Sequence, residues 1–146
     1  MKKVSGGYIL VIEVRHPLEI QVGKLGNMRC EPGQYLYGGS AKNGIASRIN
    51  RHLKDKKKPY WHIDYLTNHP EILVQEAWCY PDQSKIEHKI AQHNKIQEDG
   101  VLRGFGNGDC KAGCFSHLWK VDGKIRAADF SEDYYIVTRA EQYSKS

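Results

Sequence analysis

At 146 residues and 16.7 kDa, the chain has room for one domain with a real core and not for two. Apolar residues at 40% and charged residues at 27% exclude a disordered chain, and the longest apolar run, Tyr8 to Ile12, is far short of the roughly 20 residues a membrane helix needs. The net charge of +5 and pI near 9.0 point toward a polyanionic partner such as nucleic acid.

Gly7 to Val14 reads as a strand, because Tyr8 through Ile12 and Val14 favour extended backbone. His16-Pro17 punctuates it. Leu18, Ile20 and Val22 then alternate with polar residues, the pattern of a half-buried strand. Pro32-Gly33 signals a turn, and Gln34 to Ser40 is a third strand with Tyr35 and Tyr37 on one face. Ile45, Ile49 and Leu53 recur at four-residue steps and predict a helix from Ile45 to about Lys57, stopped by Pro59. Trp61 to Leu66 is a short helical piece. Ile72 to Tyr80 is a strand, with Pro81-Asp82 turning after it. Lys85 to Ile96 reads as a second clear helix with Ile86 and Ile90 inward. Gly104 to Cys114 is a glycine-rich loop; Phe115 to Val121 and Tyr134 to Val137 are late strands, with a turn at Asp122-Gly123. The fold class is therefore α+β: a small antiparallel sheet of about three strands flanked by helices, with a C-terminal strand extension. One domain spans 1–146, with its core at about 5–120 and the extension at 121–146.

Charge is unevenly placed. Lys42 to Lys58 holds seven bases (Lys42, Arg48, Arg51, Lys54, Lys56, Lys57, Lys58) against Asp55, a local +6, whereas Asp129 to Ser146 is at −2. A concentrated basic helix beside a neutral remainder suits nucleic acid, and also suits a merely solvated face. Met1-Lys2-Lys3 imitates the start of a signal peptide, but no apolar stretch or cleavage site follows. With four cysteines, too few for a disulfide scaffold, a cytoplasmic location is the expectation.

Two short motifs carry a resemblance. Gly6-Gly7-Tyr8-Ile9-Leu10, followed by Tyr35-Leu36-Tyr37-Gly38-Gly39-Ser40-Ala41, resembles the paired signature of the GIY-YIG nuclease superfamily. The first signature lacks the middle isoleucine and the second ends in two glycines. Arg48 falls where that superfamily carries its arginine, and Glu87 where it carries a metal-binding glutamate. Trp61-His62-Ile63-Asp64-Tyr65-Leu66, Gly104-Phe105-Gly106, Asp109-Cys110 and Ser116-His117-Leu118 resemble its small stand-alone branch, the Uri-type endonucleases. A late superfamily asparagine has Asn107 as its nearest candidate. The resemblance implies a GIY-YIG-type fold and hydrolysis of phosphodiester bonds in DNA, rather than RNA, in repair or processing. It implies Tyr8, Tyr37, Arg48 and Glu87 as catalytic residues and Tyr8 as the favoured base.

The residue chemistry agrees with that set. Arg48 offers a permanent forked charge for phosphate oxygens. One carboxylate, Glu87, suits a single Mg²⁺ (or Mn²⁺) that keeps most of its waters. Either tyrosine can take a proton from water or position it if its pKa falls from about 10. Lys42, Arg51, His52, Lys56 and His62 are the candidate nucleic-acid contacts, and a domain this small needs structural selectivity or a protein partner for specificity. Each has an alternative. Tyr8 and Tyr37 also suit a core; Ser84-Lys85-Ile86-Glu87 is a capping box in which Glu87 would bind no metal; His52 and His62 can be bonded within the fold; Trp61 and Tyr65 can stack on bases or fill a core. Two rival functions follow: a non-cutting nucleic-acid-binding module on the same scaffold, and a zinc-stabilised interaction protein. In the latter Cys110, Cys114 and His117 would bind zinc, completed by His62, Cys30 or Asp109.

Overall fold

The structure, a computed structural model, describes residues 4–42, 44–53, 58, 62–83, 85–90, 96–97 and 118–138. Its framework is β1 (Gly6–Val14), paired antiparallel along its whole length with β4 (Gly33–Ala41) on one edge and with β5 (Ile72–Pro81) on the other. Residues of β1 on both faces are buried, as its continuous apolar run demands. A bulge between Val11 and Ile12 leaves Gln75 of β5 as the extra residue.

The sheet is larger than the three strands predicted. Outside β4 lie β7 (Leu118–Val121) and the two-residue β6 (Ile96–Gln97); outside β5 lies β8 (Tyr135–Thr138). The order is β6-β7-β4-β1-β5-β8, with every neighbour antiparallel. The second predicted strand, β2 (Leu18–Val22), is not among them. It pairs with β3 (Gly26–Cys30) in a separate two-stranded sheet. Alternation of Leu18, Ile20 and Val22 fits any half-buried strand and does not choose the partner. The nearest partner in sequence was Met28 and Cys30, which turn inward opposite Ile20 and Leu18.

Two cores cover the two faces of the sheet. On one, Tyr8, Leu10, Ile12, Tyr35 and Tyr37 meet α1 (Ile45–His52) and α2 (His62–Thr67) through Ile45, Ile49, Ile63 and Leu66; β2 and β3 extend that core. On the other, Ile9, Val11, Leu36, Trp78 and Tyr80 meet Ile86, Ile90 and residues Ile125 to Phe130. Tyr80 donates its hydroxyl to the Ala127 carbonyl at 2.8 Å, holding that last segment down.

The helix predicted over Lys85 to Ile96 is not formed as such. Ile86–His88 is a 3₁₀ turn, and Ile96 lies in β6. Ile86 and Ile90 are inward as expected. The chain leaves β5 through Asp82, held at φ 60°, and must cross the end of the sheet at once. The tighter i→i−3 bonds of Ile86 to Gln83 and of Lys89 to Ile86 make that crossing in fewer residues than an α-turn. The first helix ends at His52, with Leu53 capping it; Lys54 to Lys57 lie outside the described residues, as do Gly104 to Cys114 and Phe115 to His117. None of the helices of the described residues is long and apolar enough to cross a membrane.

Cys30 and Cys79 are both free and fully buried, and burial pushes each thiol up to about 11. Thiolate, not thiol, reacts with disulfide reagents. In a Cys110→Ser/Cys114→Ser protein, no thiol should titrate with Ellman's reagent at pH 8 until denaturant is added. Fast labelling of the native protein would contradict the burial of these side chains.

Candidate active site

Tyr8 and Tyr37 are brought together by register. Tyr8 stands opposite Gly39 and Tyr37 opposite Leu10, so both rings project from the same face on a diagonal of the β1–β4 pair. Gly39 is what admits the Tyr8 ring: a Cβ there would overlap it. Into this corner α1 delivers His52 from its last turn. The Tyr8 hydroxyl and His52 Nε2 are 2.8 Å apart, and the rings lie 5.3 Å apart at 47°. Tyr37 meets the imidazole edge-on at 6.2 Å and 72°. All three side chains are buried: Tyr8 and His52 are 1% exposed and Tyr37 is 5% exposed. His52 is therefore an interior partner of Tyr8 rather than an outward contact for phosphate. When Nε2 carries no proton, the tyrosine donates to it; in the other tautomer the imidazole donates.

Arg48 lies one turn before His52. Its Nη1 donates to the Ser40 carbonyl at 3.1 Å. Ser40 is the register partner of Gly7. Gly7 is also where the 86–88 turn arrives, from the opposite face: a Cβ on Gly7 would fall 3.0 Å from Ile86 Cβ and 2.6 Å from the Gln83 carbonyl oxygen. The Arg48 guanidinium and the backbone that carries Glu87 thus reach the same Gly7–Ser40 pair from opposite faces of the sheet, with Tyr8 on the face of Arg48. The side chain of Glu87 and all of Ser84 lie outside the described residues, so the choice between capping box and metal ligand lies there too.

Arg51 is committed elsewhere. Its Nη2 donates to Asp64 Oδ2 of α2 at 2.7 Å and to the Lys58 carbonyl at 3.4 Å, and the Asp64 side chain is 0% exposed. Lys42 is exposed just beyond β4. His62 opens α2 half-buried, and desolvation lowers its pKa, favouring neutral imidazole. Tyr65 is partly buried and lies against Gly23, where a Cβ would come 2.9 Å from its hydroxyl oxygen, so this ring covers the backbone beside β2. Cys30 is in the core formed with β2. Lys56, Trp61, Asn107, Asp109, Cys110, Cys114 and His117 lie outside the described residues. Among the described residues no group of three or more His, Cys, Asp or Glu is placed to hold a metal.

With this geometry in view, comparison with known proteins gives one match. A family described as "Domain of unknown function DUF123" matches residues 7–138. The chain belongs to this family. No curated protein and no solved structure matches it. The matched span runs from Gly7, where Arg48 and the 86–88 turn converge, through the last residue of β8.

The buried, paired Asp64 was not foreseen, and of the two readings open for His52 the structure shows the one in which it is bonded within the fold. The signal for Asp64 was present: an acid between the inward Ile63 and Leu66, with an arginine upstream to neutralise it. Gly39→Ala tests the corner itself. Crowding the Tyr8 ring should cost about 1–3 kcal/mol of stability in urea unfolding, and most of that cost should vanish in a Tyr8→Ala background. Equal costs in both backgrounds would show that Gly39 and Tyr8 are not coupled.

Proposed function

We propose that this chain is a metal-dependent endonuclease of the GIY-YIG type, hydrolysing phosphodiester bonds in DNA. The observation that carries the reading is the Tyr8–His52 hydrogen bond, backed by Tyr37 on the same sheet face. A phenol is a poor base at neutral pH because its own proton must first leave. His52 supplies the acceptor in the tautomer that leaves Nε2 without a proton. As Tyr8 Oη takes a proton from the attacking water, the phenolic proton passes to His52 Nε2. The hydroxide so formed bonds to phosphorus, and the P–O bond breaks with its electron pair on the leaving oxygen, which takes a proton from solvent water. Burial of the pair keeps bulk water from competing for that proton. Arg48, held at the Ser40 carbonyl, supplies fixed positive charge for the phosphate oxygens as negative charge builds.

The residues suit a hydrated divalent ion rather than a caged one. The resemblance supplies one carboxylate, Glu87, on the turn whose backbone packs against Gly7. Mg²⁺ typically takes one or two carboxylates, keeps its waters and binds a phosphate oxygen. Glu87 would hold it, and when bound it supplies Lewis-acid stabilisation of the phosphate. The surface from Lys42 to Lys58 supplies backbone contacts, without Arg51 and His52.

One observation favours a second reading, a module that binds nucleic acid without cutting it. Tyr8 is as buried as any core residue, which is what a purely structural tyrosine would be. The deciding experiment is cleavage of labelled duplex, single-stranded and branched DNA and of RNA, with Mg²⁺, Mn²⁺ or EDTA. The nuclease reading expects metal-dependent DNA products and losses of about 10²-fold or more in Glu87→Ala and Tyr8→Phe. It also expects DNA binding to weaken steeply with salt. Salt-sensitive binding with no product in any metal would establish the binding module instead.

A further inference from the structure

The motif His62-Ile63-Asp64-Tyr65-Leu66 has no part in the chemistry above, yet one of its residues is a buried acid. Asp64 lies on α2 with its side chain fully inside, and Arg51 of α1 reaches it at 2.7 Å. Arg51 immediately precedes His52. Consecutive residues of an α-helix point about 100° apart, so a fixed direction for one fixes the other. From the geometry we infer that Arg51 and Asp64 are positioning residues. Their ion pair locks the rotation of the last turn of α1 and so holds His52 Nε2 on the Tyr8 hydroxyl. This rests on the proposed proton transfer from Tyr8 to His52.

Three features of the structure support the assignment. First, α1 is eight residues long, and its core contacts are the aliphatic side chains Ile45 and Ile49. Such a helix has little stability of its own, and aliphatic contacts tolerate small rotations. A short charge-assisted bond to a fully buried carboxylate does not. Second, the same guanidinium donates to the Lys58 carbonyl, so it ties the chain returning from α1 as well as α2. Third, a buried carboxylate is a costly way to join two helices. An apolar pair of similar volume is commonly as stable or more so, which leaves orientation as what the charge pair provides. The other residues of the motif secure its frame: Ile63 and Leu66 fill the core, and Tyr65 covers Gly23.

The test separates orientation from stability. In Arg51→Met/Asp64→Leu the pair becomes apolar, and the melting temperature should stay near or above that of the wild type. The kcat for DNA cleavage should nevertheless fall by about tenfold or more, with KM within about twofold. Ring ¹⁵N shifts of His52 give a second readout that needs no activity. In the wild type they should respond to Tyr8→Phe; in the apolar-pair protein that response should be lost. Arg51→Lys, which keeps the charge but replaces the rigid guanidinium that also reaches the Lys58 carbonyl, should show the same two changes in milder form. Unchanged kcat together with a His52 that still senses Tyr8 would overturn the assignment. If the wild type cleaves nothing, the nuclease reading fails, and the ¹⁵N response alone decides whether the pair positions His52.

Discussion

The double pairing of β1 is the constraint on which the other elements depend. It is hydrogen-bonded on both edges and covered on both faces, so its register fixes which residues of β4 and β5 meet each core. Its odd and even positions divide the molecule: Tyr8, Leu10 and Ile12 look toward the helices, Ile9 and Val11 toward the 86–90 turn and the 125–130 segment. A slip of one residue would exchange those sets and scatter the tyrosines. The glycines act at the end of this strand. Gly7 lets backbone from the far face come close, and Gly39 opposite Tyr8 gives its ring a floor.

On that frame the polar side chains of the interior work as fasteners. A buried histidine or aspartate is costly unless a partner satisfies it. His52 meets Tyr8 and thereby ties α1 to the sheet; Asp64 meets Arg51 and ties α2 to α1. Arg48 adds a bond from α1 to the backbone of β4. Within its eight residues α1 therefore addresses the core through Ile45 and Ile49, the sheet through Arg48 and His52, and the neighbouring helix through Arg51. Catalytic chemistry of the proposed kind needs such fixity, because proton transfer falls off sharply with misplacement.

Much of this was legible in the residues. The apolar runs of β1 and β5, the tyrosine-bearing β4 and the four-residue spacing of α1 each specify an element locally. The candidate tyrosines and Arg48 followed from motifs at the ends of those elements. What was not legible depends on partners distant in sequence. Strand β3 has no β-branched residue and announces itself only through Met28 and Cys30, and β2 shows the same alternation whichever strand it joins. His52 reads as a surface residue because Arg51 precedes it and basic residues follow. Its partner lies 44 residues away, on a strand whose residues 8–12 form a continuous apolar run. The crossing at 86–90 kept the helical spacing of its isoleucines while the backbone wound more tightly, since two inward contacts four apart do not specify the turn between them.

The outer rim of the sheet has a colloidal consequence. Strand β8 is last in the order, and among the described residues nothing pairs with its far side. Tyr134, Tyr135 and Ile136 are each about 40% exposed there. A short, apolar, unpaired strand is a template on which other chains can add. Glu132 and Asp133, both exposed immediately before it, put like charges at the place where a second strand would dock. A strand added along that rim would have to dock beside these two carboxylates, a like-charge placement of the kind that disfavours growth of a sheet edge.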